Sequence, residues 1–364
     1  MSRTGSFPLR LALRTLSRFA TSPSTVFDPF CGKGTVPLAC RLLGHVAYAM
    51  DVAPEAVICS RAKMESVSRE SLLDYLQSLR IRRRRLIEVP SSVRVFFHED
   101  TLSQLLGVRA ILLRHVESRS VKSQATVALA MLLGILHGHA SYSLSLPCAH
   151  AYSMAPGYVM RYAAAHGLSA PSRDVRHCLI TKATRCLRDP IANTVHSRIE
   201  RGSVDQCLKR FPELIGKVDI ILTSPPYLAA QTYAKDNWLR LWFMGLDYKT
   251  LKPDYIETSS VSKYRAQMAP ALALLFKALR PGGVLLLVTG DARVRRSNGG
   301  VIANMSTLLM SLITDSYPNV RIEEVVSQCI RSQDRYFHAL SKSNGHSNRD
   351  LTERVLVARK VANA

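Results

Sequence analysis

The sequence lacks the cysteine spacings of a zinc site or a disulfide framework. Its eight cysteines are scattered along 364 residues and include no Cys-x-x-Cys pair, a usage that favours a reducing compartment. Long apolar runs are also absent, since the longest, Ala125 to Leu136, is too short to span a bilayer. The segment from Met1 to Phe19 has arginines among its apolar residues and so lacks the core of a signal peptide. We expect a cytoplasmic protein that binds neither a metal nor a membrane.

Acidic residues are scarce. The chain has 27 Asp and Glu against 49 Lys and Arg, which gives a net charge of +22 and a pI near 10.0. A surplus of this size on a folded protein indicates a polyanionic partner, of which nucleic acid is the first candidate. The alternative is a basic soluble protein without such a partner. With 47% hydrophobic residues, the chain can bury a large core.

The first section of the chain, residues 1–100, alternates strand and helix patterns. Strands are predicted at Ser24–Phe30, His45–Asp51 and Val93–Asp100, and helices at Thr35–Leu43 and Pro54–Arg69. Strand and helix alternating at this spacing indicate a parallel βαβ arrangement.

Residues 101–203 differ from this pattern, and residues 204–364 return to it. The middle section is rich in Leu, Ala and Arg, with helices predicted at Leu105–Glu117, Ala125–His137 and Val175–Leu187. The last section has predicted strands at Val218–Leu222, Val284–Gly290, Arg321–Ile330 and Arg354–Lys360, and helices at Asp236–Phe243 and Met268–Leu279. The fold class is therefore α/β, with a mostly helical insertion between two α/β halves.

A glycine loop follows the first predicted strand. The stretch FDPFCGKGTVPLA places Gly32 and Gly34 in the turn from strand to helix, where glycine allows positive φ and close approach to a ligand. It is not a P-loop, because Lys33 lies between the glycines and no Gly-Lys-Ser/Thr occurs. Asp51 ends the next strand, where a carboxylate can bind ribose hydroxyls. Asp100 is predicted to end the third strand and to bind an adenine amino group. For each acid, the alternative is a solvated turn carboxylate or a helix cap.

A second motif, Thr-Ser-Pro-Pro-Tyr, follows the apolar strand Val218–Leu222. Pro225 and Pro226 lack backbone donors and fix φ, so the strand must end there. Taken alone, the motif indicates a strand followed by a rigid turn.

The two motifs together resemble those of S-adenosylmethionine-dependent DNA amino-methyltransferases. FDPFCGKGT is similar to their motif I, TSPPY to their catalytic motif IV in the form typical of the cytosine-N4 group, and RTGSFPLRLALRTL to their N-terminal cofactor segment. The resemblance implies a Rossmann-like class I methyltransferase sheet with a target-recognition, DNA-binding insertion. The cofactor-binding residues that it implies are Phe7, Pro8, Asp28, Pro29, Phe30, Cys31, Gly32, Gly34, Thr35, Asp51, Asp100 and Thr223.

The resemblance also implies roles for the catalytic motif. Ser224 Oγ and the Pro225 carbonyl would accept hydrogen bonds from the exocyclic amine of the target base, with Pro226 keeping the turn rigid. Tyr227 would stack on a base flipped out of duplex DNA. The methyl group would pass directly to nitrogen without a covalent enzyme intermediate or a metal, so catalysis would depend largely on positioning.

Several basic and aromatic residues outside the motifs have two interpretations. Candidate DNA phosphate contacts are Arg293, Arg295, Arg296, Arg331 and Arg335, whose alternative is a flexible solvated loop. The run Arg82–Arg85 is either a phosphate grip or a solvated face. Trp238 and Trp242, four residues apart, favour a core-facing helix over base contacts.

The expected partner is double-stranded DNA, and a cognate restriction enzyme is a candidate partner. Three alternatives remain: an adenine-N6 DNA methyltransferase, disfavoured by Ser224 where those enzymes carry Asp or Asn; an RNA guanosine-N2 methyltransferase, which usually carries an acid before Pro-Pro-Tyr; and a non-catalytic DNA-binding relative. The sequence specifies neither the recognition site nor the oligomeric state.

Overall fold

The computed structural model describes residues 7–21, 23–138, 140–148, 155–188, 195–228, 233–296, 299–330 and 351–361. The strands are β1 Thr25–Asp28, β2 Val46–Asp51, β3 Ser197–Arg201, β4 Val218–Thr223, β5 Leu279–Arg296, β6 Gly299–Asn304, β7 Val320–Ile330 and β8 Leu351–Lys360. The helices up to the end of the insertion are α1 Leu9–Phe19, α2 Thr35–Leu43, α3 Pro54–Met64, α4 Arg69–Ser78, α5 Ser91–Arg94, α6 Glu99–His115, α7 Lys122–Ile135, α8 Pro156–Ala165 and α9 Val175–Cys186. The later helices are α10 Cys207–Arg210, α11 Tyr233–Asp236, α12 Trp238–Phe243, α13 Tyr248–Leu251, α14 Val261–Ala278 and α15 Met305–Ser316. Within these ranges no helix is long and apolar enough to cross a membrane.

The strands form one sheet in the order β3-β2-β1-β4-β5-β8-β7, with β6 pairing with β5 outside this path. The first five strands are parallel, and β8 runs antiparallel to both β5 and β7. The order reverses between β1 and β4, and a doubly wound sheet binds its ligand at such a switch point, outside the carboxyl ends of the strands. The predicted α/β, Rossmann-like fold is confirmed.

Both faces of the sheet are buried, which explains the continuous apolar runs of its central strands. In β4, Val218 and Ile221 pack on the side of α14 and α15, whereas Ile220 and Leu222 pack on the side of α1 and α2. The polar ends of these strands are therefore the positions free to build a site.

Helices α4 to α9 surround a separate core between α3 and β3. Leu76, Leu105, Leu132 and Leu179 are fully buried in it, and α7 packs on α3 of the sheet layer. Leu239 and Phe243 belong to the same core, so α12 joins the last α/β section to the insertion.

The strand predicted at Val93–Asp100 is wrong. This segment forms α5 and the start of α6, because His98 Nδ1 accepts the Asp100 amide at 3.2 Å and acidic residues occupy the first turn. Asp100 binds Arg83 Nη1 at 2.7 Å and is half exposed, outside the site. The third strand of the parallel ladder is instead Ser197–Arg201, paired with β2, inside the range 101–203 expected to be the insertion.

The remaining predicted elements are found in the expected order, and α2 matches at both ends. Several bounds differ: α6, α14 and β5 begin five to seven residues before their predicted starts, β5 ends six residues later, and α3 ends five residues earlier than predicted. A second difference concerns the basic loop expected after Gly290, which is a hairpin. Arg293 pairs with Ile302, Arg295 with Gly300 and Arg296 with Gly299 across β5 and β6. The glycines had indicated a loop, but β-hairpins tolerate glycine next to their turns.

Candidate active site

An open cleft of about 820 Å³ lies at the carboxyl ends of β1, β2 and β4. Because β1 pairs with both β2 and β4, the loops after these three strands meet at one edge of the sheet. Of the residues predicted from the sequence, those that line the cleft are Phe7, Asp28, Pro29, Phe30, Cys31, Gly32, Thr35, Asp51, Ser224 and Pro226.

Asp51 holds the glycine loop. Its Oδ2 accepts the Gly32 amide at 2.7 Å, and its Oδ1 accepts the Ala53 amide at 2.9 Å. The Gly32 backbone has φ of 51°, the left-handed conformation that glycine adopts without strain. The carboxylate therefore lies at the wall of the cleft with its position fixed by two amides, next to the backbone of the loop.

The structure joins the two sequence motifs through one short hydrogen bond. Thr223 Oγ1 at the end of β4 donates to Asp28 Oδ1 at the end of β1, at 2.6 Å. The Phe30 amide also donates to this oxygen, at 3.2 Å. Asp28 is buried, and desolvation raises its pKa to about 7 despite these two hydrogen bonds, with the charge of Asp51 raising it further. A cation in the cleft would stabilise the Asp28 carboxylate.

The Ser-Pro-Pro-Tyr turn follows directly. Ser224 Oγ donates to Tyr227 Oη at 3.2 Å, which leaves the serine lone pairs available to accept a hydrogen bond. The Tyr227 ring lies against Gly290 of β5, where a Cβ would be 3.6 Å from Tyr227 Cε2. Pro225 is buried while Ser224 and Pro226 face the cleft, so the rigid turn presents the serine at the sheet edge.

The other residues that line the cleft were not predicted from the sequence. They are Lys33, Val52, Gly202, Ser203, Val204, Tyr233, Asp254, Tyr255 and Ile256. Lys33 and Val52 lie in the loops after β1 and β2, and Gly202, Ser203 and Val204 follow β3. Tyr233 begins α11, and Asp254, Tyr255 and Ile256 lie at and after the turn Lys252–Asp254. The polar residues of β3 hide its strand pattern.

Five predicted residues lie near the cleft without lining it. Thr223 acts through Asp28, as described, and Pro225 is buried within the turn. Gly34 is packed on Ser60 of α3. Pro8 precedes α1 and its carbonyl accepts the Leu11 amide at 3.0 Å. The fifth, Tyr227, reaches the site through its bond with Ser224.

The helix after the Ser-Pro-Pro-Tyr turn fixes the relation of the turn to the insertion. Asn237 Nδ2 donates to the Tyr233 carbonyl at 2.9 Å. The buried Arg240 donates from Nη1 to Asn237 Oδ1 at 2.7 Å and from Nε to the Leu133 carbonyl of α7 at 3.1 Å. A chain of hydrogen bonds thus connects a wall of the cleft with the helical core.

Both tryptophans pack in the core, as predicted. The Trp238 ring lies edge-on to Phe96 with centroids 5.6 Å apart, and the Arg109 guanidinium lies 5.5 Å from the Trp242 ring centroid.

The structure describes none of the side chains that were predicted to contact DNA. Arg293, Arg295 and Arg296 belong to β5, of which the structure gives the backbone pairing at these positions. Arg331 and Arg335 lie outside the described residues.

No protein-family profile matches the chain, and no curated protein matches it. Among solved structures it is similar to the rRNA methyltransferase AviRa of Streptomyces viridochromogenes, at 14% identity over 99% of this chain and 88% of that chain, with a TM-score of 0.35. It is also similar to TrmN from Thermus thermophilus, at 13% identity over 98% and 50%, with a TM-score of 0.33. TTHA0409 from Thermus thermophilus, described as a putative DNA modification methylase and complexed with S-adenosyl-L-methionine, matches at 18% identity over 44% of this chain and 52% of that chain, with a TM-score of 0.28. At these scores the similarities carry no conclusion, and the fold follows from the strand order.

Proposed function

We propose that this protein is an S-adenosylmethionine-dependent methyltransferase that modifies the exocyclic N4 of cytosine in double-stranded DNA. The observation that carries the proposal is the bond from Thr223 to Asp28, because it joins the glycine-loop motif and the Ser-Pro-Pro-Tyr motif at one cleft. The bond joins two residues that lie 195 positions apart in the sequence, and the resemblance implies that cofactor and target meet at such a cleft.

The groups in the cleft suit the proposed cofactor. Asp28 is a buried carboxyl that a cationic ammonium would keep ionised. Asp51, beside the glycine loop, would accept hydrogen bonds from the ribose hydroxyls. Val52, Val204 and Ile256 line the cleft and offer apolar surface to an adenine ring. Bound S-adenosylmethionine would supply an electrophilic methyl group on a sulfonium.

The catalytic turn would orient the target amine. The amine is a weak nucleophile because its lone pair is delocalised into the base ring. Ser224 Oγ, with its hydrogen directed to Tyr227, would accept one amine N–H, and the Pro225 carbonyl would accept the other. Holding both N–H groups favours the pyramidal nitrogen that attacks the methyl group, and this is catalysis by positioning.

Tyr227 would contribute in two ways. Its ring would stack on the flipped base, a contact worth roughly 1–3 kcal/mol, and its hydroxyl would fix the rotamer of the Ser224 hydroxyl. The net charge of +22 supports a polyanionic substrate. The serine in the motif favours cytosine N4 over adenine N6 through the resemblance alone.

The test is transfer of isotopically labelled methyl groups from S-adenosylmethionine to duplex DNA and, separately, to structured RNA. Mass spectrometry of the digested nucleosides should detect labelled N4-methyldeoxycytidine in the DNA reaction. Asp51→Ala should weaken cofactor binding, and Tyr227→Ala should mainly lower turnover. Labelled N6-methyldeoxyadenosine would change the proposed target base to adenine, and labelled RNA would change the proposed substrate to RNA. Cofactor binding without methyl transfer would overturn the catalytic assignment.

A further inference from the structure

The connection from α4 to α5 contains four consecutive arginines, and a fifth arginine precedes them by two positions. Arg80 and the four residues Arg82–Arg85 are all exposed, and we name residues 80–85 the arginine strap. The strap belongs to the most basic part of the chain, since residues 69–188 contain seventeen Lys and Arg against seven Asp and Glu. Nothing in the proposed reaction at the cleft accounts for this concentration of charge.

The middle of the strap is fixed to α6 by its backbone. The Arg84 amide donates to the Ser103 carbonyl at 3.1 Å, and Ser103 Oγ donates to the Arg84 carbonyl at 2.8 Å. Gly107 allows this approach, because a Cβ there would overlap the Arg82 carbonyl oxygen and lie 3.1 Å from its carbon. A glycine inside a helix costs stability, and here it permits contact between helix and strap.

Both ends of the strap are also clamped by arginine side chains. Arg176 Nη2 donates to the Leu79 carbonyl just before the strap. After it, Arg94 donates to the Leu86 carbonyl, to the Val89 carbonyl at 3.0 Å and to the Ile87 carbonyl at 3.3 Å. The strap is therefore held in place although it has no regular secondary structure.

The strap's own guanidinium groups are mostly not used within the protein. Arg83 binds Asp100, but both side chains are at least half exposed, so the pair contributes little. In the described part of the chain, Arg82, Arg84 and Arg85 have no carboxylate within ion-pair distance. An ordered backbone therefore presents exposed arginines that are available to bind an external anion.

We propose that the arginine strap binds the phosphates of the duplex DNA whose base enters the cleft. Guanidinium groups bind phosphate oxygens in a bidentate manner, and a backbone already fixed on α6 lowers the entropy lost on binding. The strap thereby makes the helical insertion a DNA-anchoring surface that acts independently of base sequence. This inference rests on the proposed function, because it takes the substrate to be DNA.

The test compares two variants that each remove two positive charges. Arg84→Gln/Arg85→Gln alters the strap, and Lys217→Gln/Lys277→Gln alters exposed lysines at the edge where β4 and β5 begin, opposite the cleft. Binding to duplex DNA is measured from low to high salt for each variant and for the unaltered chain. Each lost phosphate contact should lower the slope of log K against log salt by about 0.9.

We expect the slope of the strap variant to fall by about two, equally for duplexes of different sequence, and the slope of the lysine variant to change less. Arg84→Lys/Arg85→Lys, which keeps the charge, should recover most of the slope, which excludes misfolding as the cause. A strap variant with an unchanged slope, while the original chain binds duplex, would overturn the inference alone. An original chain that binds structured RNA but no duplex would overturn the proposed substrate and the inference together.

Discussion

Replacing Gly34 by alanine tests the packing of the glycine loop on α3. Gly34 has φ of 76°, and an added Cβ would overlap Ser60 Oγ and lie 2.8 Å from Ser60 Cα. The left-handed conformation costs a non-glycine residue roughly 1–2 kcal/mol, and overpacking against a backbone atom adds roughly 1–3 kcal/mol. We therefore expect Gly34→Ala to lower the free energy of unfolding by about 2–5 kcal/mol.

Urea denaturation followed by circular dichroism measures this loss, and Gly44→Ala is the matched control. Gly44 has φ of 79° with nothing within 4 Å of an added Cβ. Gly44→Ala should therefore lower the free energy of unfolding only by the cost of the left-handed conformation, roughly 1–2 kcal/mol. Ser60→Gly in the Gly34→Ala background should recover only part of the stability difference between Gly34→Ala and Gly44→Ala. It removes the clash with Ser60 Oγ but leaves the clash with the Cα of residue 60. Equal losses for Gly34→Ala and Gly44→Ala would refute the packing argument.

Three further outcomes follow from the site. Affinity for S-adenosylmethionine should rise as the pH passes upward through about 7, the raised pKa of Asp28, and Asp28→Asn should remove this dependence in titration calorimetry. Because the pKa of Asp28 in the folded protein lies above its ordinary value of 3.8, protonated Asp28 stabilises the fold fully below about 3.8, and this contribution is lost as the pH rises through about 7. Tyr227→Phe should keep base stacking but lower kcat about fivefold to tenfold at unchanged KM, since the Ser224 hydroxyl loses its acceptor; a change in KM alone would contradict that role. Tyr264 has a buried hydroxyl without a partner among the described residues, so Tyr264→Phe should raise the free energy of unfolding by about 1 kcal/mol in urea denaturation, whereas a loss of stability would show that the hydroxyl is bonded.

The sequence was most informative where local signals were strong and agreed. β-branched runs, the glycine turn and the proline pair each restrict the backbone over a few residues, so β1, α2, β2 and β4 were predictable with their loops. The parallel arrangement of these strands then placed Asp28, Asp51 and Ser224 at one edge of the sheet. Order along a sheet follows from few rules, which is why so much of the cleft could be anticipated.

The failures arose where tertiary contacts outweigh local pattern. Val93, Phe96 and Phe97 are apolar enough for a strand, yet they pack in the helical core of the insertion. The true third strand contains four charged or polar residues in five, Ser197, Arg198, Glu200 and Arg201, because an edge strand needs few apolar residues. The hydrogen bond between Thr223 and Asp28 joins distant segments, so no local signal announced it.

The measurement that tests the central claim most directly is single-molecule sequencing of DNA from a methylation-free host that expresses this chain. Modified base and sequence context are read together, and a host expressing Ser224→Ala provides the control. The proposed function predicts N4-methylcytosine in a fixed context with the original chain and its loss with the serine variant. Unmodified DNA from cells that contain the folded, cofactor-binding protein would contradict it.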